Sequence, residues 1–472
     1  MSALQEYRRD GCKIKLNPEF ILQKKSPNPD NIRMSVKLKK ICLLFLGVAF
    51  PLLLIVGTIR FYQDGNADLT AHEDERVLKI QDFRKLLIEP LGPHLLQNNR
   101  VSEVEMSLDT MGVGIKQKVQ LEYTIDEVLQ AEAEKLLKSY KPDYGAIVTI
   151  DTATGRILAL ASYQKDDKNA QNLALKATYP AASIFKIVTA TAALDKYAIS
   201  PDTLVMYNGG NHTLYKKNVM NANVNRWTRN ITLREAFARS INTVFARLSF
   251  ERMNPKDISE YAIRFGFNKV IPTDLPIDPG FVDIPQENNF HLAEVVSGFN
   301  KITKMSPIQG AMIAASVAED GVMRVPYIVE RVRDSQGQVI FQSEPVTAAV
   351  TMTHSGAQRL KELMEATVTQ GTGRKSFRSL VRDRKFEELE MGGKTGSLHG
   401  DNPKGKVDWF VGYAIGEKSR LAVAAITVNR EKWTVKSTYL AQSLFRKHFG
   451  NKFSKNNEKF LSSATIADPS HN

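Results

Sequence analysis

The sequence predicts an α+β domain built on one mixed sheet whose strands come from both ends of the domain, with helices covering it. Three observations lead there. Two apolar runs, Tyr144 to Ile150 and Arg156 to Ala161, lie close together in the chain. A long stretch with helix signals, roughly Gln164 to Gln370, follows them. Three more strand-like runs and a final helix then close the domain.

Taken in order, the first two runs are joined by Asp151-Thr152-Ala153-Thr154-Gly155, a turn ending in glycine, which makes them a hairpin. In the helical middle, Thr232 stands three residues before Glu235, a capping box that opens a helix through Ala236 to Arg239. Asn254 followed by Pro255 opens another helix, running toward Phe265. The late strands are Leu389 to Ser397, Val407 to Ile415 and Leu421 to Val428, and the last helix is Thr438 to Phe449. No repeat with a period of 20 to 50 residues is visible.

The segments before and after this domain differ from it in composition. Residues 1–40 hold ten cations against four anions, a large share of the chain's net charge of +13. Ile41 to Ile59 contains no charge and, at ~1.5 Å per residue, is long enough to cross a bilayer once as a helix. It exceeds a signal-peptide core and no A-x-A cleavage pattern follows, so the expectation is an uncleaved anchor. The basic flank orients it with the N-terminus inside and everything after Arg60 outside. The leader lacks interleaved aromatics, so its charge is topogenic and does not indicate nucleic acid.

Residues 60–141 are charged and largely helical in pattern, Thr124 to Tyr140 most clearly, and read as a stalk or small pedestal. Residues 142–450 form the main folded domain, and residues 451–472 are a polar tail expected to be disordered. The two cysteines, Cys12 and Cys42, both precede the exported part, which excludes a disulfide, thiol or Cys-ligated metal there. The eight histidines form no H-E-x-x-H pair, and no metal or cofactor is indicated.

Chemistry concentrates in three short motifs. Ser183-Ile184-Phe185-Lys186 opens an apolar helix, which sets Ser183 and Lys186 one turn apart on one face. A serine needs a base within hydrogen-bond reach, and a neutral lysine can serve. The motif alone is weak, since Ser162 and Lys165 match it too, at the end of a strand. Ser240-Ile241-Asn242 interrupts a helical stretch and supplies a second hydroxyl and an amide; taken singly, it reads as a helix cap. Lys394-Thr395-Gly396-Ser397 sits on a strand whose glycine admits a ligand backbone and whose lysine and threonine can hold a carboxylate. A phosphate loop is excluded because no G-x-x-x-x-G-K precedes Lys394.

In this order the three motifs are those of serine acyl-transferases. Over Tyr144 to Phe449 the chain resembles the transpeptidase domain of penicillin-binding proteins. Flanking segments add to the likeness: Gly145 to Gly155, Arg156 to Ser162, Ser306 to Gln309, Gly371 to Gly373 and Asp408 to Gly412. The resemblance implies an antiparallel five-stranded sheet covered by helices, plus an all-helical subdomain.

It also implies a membrane-anchored peptidoglycan D,D-transpeptidase in the bacterial cytoplasmic membrane, its catalytic domain in the periplasm or extracytoplasmic space, acylated and inhibited by β-lactams. Ser183 would attack the penultimate D-Ala of a stem peptide, with Lys186 as base, Ser240 as proton relay and Asn242 positioning Lys186 and binding the substrate amide. Lys394 and Thr395 would hold the terminal carboxylate, Gly396 would allow close approach, and the backbone N–H groups of Ser183 and Ser397 would form the oxyanion hole.

The chain departs from bifunctional members in having no glycan-polymerase domain, since the stretch before Tyr144 is too short; a separate polymerase partner is implied. A D,D-carboxypeptidase, a β-lactamase and a non-catalytic β-lactam-binding scaffold or sensor remain open as alternatives on the same site.

Overall fold

The computed structural model describes residues 74–89, 91, 101–110, 113–166, 172–220 and 224–464. The expected leader and anchor, residues 1–59, lie outside these. Among the described residues no helix is long and apolar enough to cross a membrane.

The centre of the domain is a five-stranded sheet in the order Glu390–Asp401, Lys404–Gly416, Ser419–Asn429, Tyr144–Asp151, Ile157–Gln164. Every neighbouring pair in it is antiparallel. The expected mixed sheet is therefore corrected to a purely antiparallel one. The reason is topological: short turns join the three late strands and the two early ones, while the helical middle connects the two outer edges and creates no parallel neighbours.

Both faces of the sheet are covered, which explains why its strands read as continuous apolar runs. Ala146, Val148 and Ile150 belong to the larger core cluster, while Ile147 between them belongs to the other, the period of two expected of a strand. On the first face the helix Pro307–Ala318 crosses three strands, and His354–Thr369 packs beside it. The second face is covered by Glu127–Tyr140 and Ser437–Ala464. The first of these is capped by Asp126, whose carboxylate accepts from the amides of Val128 and Leu129, and ends at Lys141 in the left-handed region.

Two expectations fail outside the catalytic core. The stretch before residue 141 is only partly helical: Val101–Thr110 and Val113–Tyr123 form an antiparallel hairpin that extends into a four-stranded sheet with Val329–Arg333 and Val339–Gln342. Val104, Met106, Val119 and Leu121 are buried at alternate positions, and the polar residues between them hid the period of two from a helical reading. The helix over residues 74–89 docks here too, with Phe83 stacked on Phe341 at 4.2 Å and the buried Arg84 over the Tyr327 ring. The second concerns the tail expected to be disordered: over residues 451–464 the backbone continues the last helix, and residues 465–472 lie outside the described residues.

Candidate active site

The nucleophile segment begins with Tyr179-Pro180, which is held to the sheet by Trp409: its indole N–H donates to the Pro180 carbonyl at 2.9 Å. Trp409 pairs with Gly396 across the strands, so the same residue links this segment to the Lys394-Thr395-Gly396 edge. Ser183 lies in a 3-10 turn, Ala182–Phe185, and the α-helix begins only at Lys186. The tighter turn differs from the α-helical start expected, but it still brings the pair together: Lys186 Nζ donates to Ser183 Oγ at 2.8 Å.

Lys186 has two further acceptors, Asn242 Oδ1 at 2.7 Å and the Ser297 carbonyl. Asn242 reaches it because the Leu233–Ala238 helix stops just before Ser240, which stands at φ +56° and turns the chain into the helix Asn242–Arg252. The cap expected at Thr232 is present, its Oγ1 accepting from the Glu235 amide at 3.1 Å. The Asn242 amide is held from a third side, its Nδ2 donating to the His212 carbonyl at 3.0 Å and its backbone N–H to the Asn211 carbonyl at 2.9 Å.

Across the cleft, Lys394 Nζ donates to Ser240 Oγ and to the Thr395 carbonyl, both at 2.9 Å. The Thr395 hydroxyl is 2.5 Å from that of Thr372, whose backbone N–H is bound to the Ala238 carbonyl. Gly396 abuts the nucleophile turn: a Cβ there would lie 3.2 Å from Ile184 and 3.4 Å from Ala182 Cβ. Of the residues singled out from the sequence, Ser183, Lys186, Ser240, Asn242, Lys394, Thr395 and Gly396 are thus brought together around one cleft, and Ser397 follows Gly396 on the same strand. The competing Ser162 ends a strand elsewhere, its hydroxyl accepting from the Leu173 amide.

Burial divides the set. Lys186, Lys394, Ser240 and Asn242 are buried, while Ser183 and Thr395 are half-buried and Ser397 is exposed. Ser183, Thr395 and Ser397 therefore reach solvent, and the two lysines, Ser240 and Asn242 stand behind them. Neither lysine has a carboxylate partner among the described residues; each lies near an aromatic ring, Lys186 by Phe245 and Lys394 by Phe237. Burial, then the charge of Lys394, holds the Lys186 ammonium well below the ordinary lysine range. Burial pushes Lys394 down to about 7. A neutral amine 2.8 Å from a serine hydroxyl can take its proton.

Three contributors carried no signal as site residues. The Ser297 carbonyl acts through backbone, which has no residue-type signature. Thr372 stands in the sequence only as the middle of the segment Gly371 to Gly373. His212 was one histidine among eight, yet it borders the cleft near enough for the charges of Lys186 and Lys394 to lower its pKa, after burial as the larger cause.

Gly298 yields a prediction here. It has φ +64°, and a Cβ on it would sit 2.0 Å from the Ala182 carbonyl oxygen and 3.0 Å from the Ser183 nitrogen. Gly298→Ala must displace the nucleophile turn and adds a left-handed penalty of about 1–2 kcal/mol. The expected result is a lower melting temperature and benzylpenicillin acylation slowed at least tenfold; wild-type values for both would show that the turn yields without cost.

A family model, the penicillin binding protein transpeptidase domain, matches residues 145–449. Stage V sporulation protein D of Bacillus subtilis is 24% identical over 343 residues, covering 68% of this chain and 51% of that protein. Peptidoglycan D,D-transpeptidase PbpA of Mycolicibacterium smegmatis is 26% identical over 322 residues, covering 60% of this chain and 62% of that one. The chain thus spans between half and two thirds of the length of these relatives. Among solved structures, the D,D-transpeptidase domain of a peptidoglycan glycosyltransferase from Eggerthella lenta is 26% identical with a TM-score of 0.58, covering 70% of this chain and 83% of that one. With the family model spanning well over half of its length and the three motifs gathered around one cleft, this chain belongs to the penicillin-binding protein transpeptidase family.

Proposed function

We propose that this chain is a peptidoglycan D,D-transpeptidase that works through an acyl-serine intermediate and is inhibited by β-lactams. The observation that carries the reading is the hydrogen-bonded set Ser183–Lys186–Asn242 facing Ser240–Lys394 across one cleft. Lys186 takes the Ser183 proton as Oγ attacks the penultimate D-Ala carbonyl of a stem peptide. The tetrahedral oxyanion is received by the N–H groups of Ser183 and Ser397, a type of interaction in which one lost donor typically costs about 3–4 kcal/mol. Ser240 passes a proton to the departing D-Ala amine, and Asn242 holds Lys186 in place and meets the substrate amide. Lys394 and Thr395 bind the terminal carboxylate, and Gly396 lets the donor backbone lie along the strand. An amine of a second stem peptide then attacks the ester and restores Ser183.

The PbpA relatives named peptidoglycan D,D-transpeptidases support this reading. We also propose that Ile41 to Ile59 anchors the chain in the bacterial cytoplasmic membrane with its N-terminus inside, so that the catalytic domain works outside it beside a separate glycan polymerase. The enzymatic test incubates the protein with a pentapeptide stem donor, with and without an amine acceptor. Release of D-Ala with a crosslinked product is expected. Release to water alone would make it a carboxypeptidase, and no release from folded protein would favour a scaffold.

A further inference from the structure

The hairpin of Leu204–Tyr207 and Arg229–Thr232 carries a flap beside the cleft with an unusual surface. Trp227 and Tyr215 are 68% and 54% exposed. From Tyr215 to Arg229 the sequence contains Lys216, Lys217, Arg226 and Arg229 and no acidic residue. None of these four cations forms an ion pair among the described residues, and no carboxylate within the segment offsets their charge.

The exposed rings are held in place. The Asn225 carbonyl accepts from the Thr228 amide, the Thr228 hydroxyl from the Asn225 amide, and the Asn225 side chain from the Trp227 amide, which together lock the turn. The Arg226 guanidinium lies over the Trp227 ring at 4.7 Å, and that of Arg229 over Tyr207 at 4.4 Å. The helix Lys216–Met220 is seated through Leu214 and Val219 on Ala246 and Ala293. A tryptophan fixed in water among unpaired cations marks a contact surface more than a fold requirement.

The flap is continuous with the catalytic cleft. Arg229 donates to the Gly209 carbonyl, and the next residues, Asn211 and His212, hold Asn242 through their carbonyls. The base of the flap thus touches the site through Asn242. An anionic polymer with flat sugar faces matches it: rings stack on sugars and cations pair with carboxylates.

We propose that Tyr215, Lys216, Lys217, Arg226, Trp227 and Arg229 form a docking site for polymeric peptidoglycan, which guides a stem peptide of the bound strand into the cleft. The inference rests on the transpeptidase reading and names where that enzyme grips the polymer. A small β-lactam needs only the cleft, so the two activities separate.

The test uses the full-length chain in detergent, as wild type, Arg226→Ala/Trp227→Ala and the charge reversal Lys216→Glu/Lys217→Glu. Three readouts are compared: co-sedimentation with purified peptidoglycan sacculi, flotation with vesicles containing phosphatidylglycerol, and benzylpenicillin adduct formation by intact mass. Both variants are expected to lose sacculus affinity at least tenfold while acylating within twofold of wild type. Unchanged sacculus binding would overturn the proposal, as would loss confined to the vesicles, which would assign the flap to the membrane surface. Loss of binding only in a variant that also stops acylating would mean damage to the fold, and would overturn it too. Wild type that binds sacculi through the flap but takes no penicillin would sink the transpeptidase reading separately.

Discussion

Benzylpenicillin is expected to leave a stable adduct on the wild-type chain and none on Ser183→Ala, read by intact mass over time. Ser183 is the half-buried hydroxyl within reach of Lys186 in the otherwise buried turn Ala182–Phe185, while Ser240 is buried behind it and bonded to Lys394. The variant should still fold. Lys186 keeps Asn242 Oδ1 and the Ser297 carbonyl as acceptors, so the loss is one hydrogen bond, about 1 kcal/mol. A folded Ser183→Ala protein that still acquires the adduct would move the nucleophile elsewhere. A wild-type adduct that disappears within seconds would point to a β-lactamase.

Lys186→Ala should slow acylation by about 10²–10⁴, the usual contribution of a positioned general base. The direction of its pKa shift gives a second readout. Lys186 acts as a base only when neutral, and burial beside Lys394 favours that form, so the rate should rise with pH through a value well below the ordinary lysine range. Lys394 binds a carboxylate best when protonated and is held at about 7, so the falling limb should begin near neutrality. Lys394→Met should remove that limb and weaken binding of the carboxylate-bearing ligand. Wild-type acylation by Lys186→Ala, at any pH, would end its role as base.

The same shift has a consequence for stability. Lys394 takes up a proton near pH 10.5 when unfolded but only near 7 when folded, so between those values the unfolded chain binds more protons. Stability should therefore rise with pH across that window. Denaturant midpoints measured at pH 7 and 9.5 on wild type and Lys394→Met would show whether the slope belongs to this residue.

Much of this was legible because the signals are local. The Thr232 cap, the Asn254-Pro255 helix start and the hairpin turn ending in Gly155 each depend on a few neighbouring residues, and each stands as read. The three motifs were legible because residue types at fixed spacing carry their chemistry. The hairpin Val101–Tyr123 was missed because a half-buried sheet with charged residues on its open face imitates a polar helix, and the strand Val329–Arg333 that completes it is far away in sequence. The sequence predicts the last helix only as far as Phe449, where its apolar residues thin out, yet its backbone remains helical to Ala464.

The sequence by itself determined the residue types to which proton and carboxylate handling are proposed, the caps that start helices, and the apolar runs that build the sheet. Only the tertiary structure decided that two lysines stand buried without a carboxylate partner among the described residues and are shifted toward neutrality. It also decided that the Ser297 carbonyl, 111 residues from Lys186, and the carbonyls of Asn211 and His212 hold the set together. Side-chain chemistry is written residue by residue, but burial and backbone acceptors belong to the packed arrangement, because any residue can supply a carbonyl and only distant neighbours can exclude water.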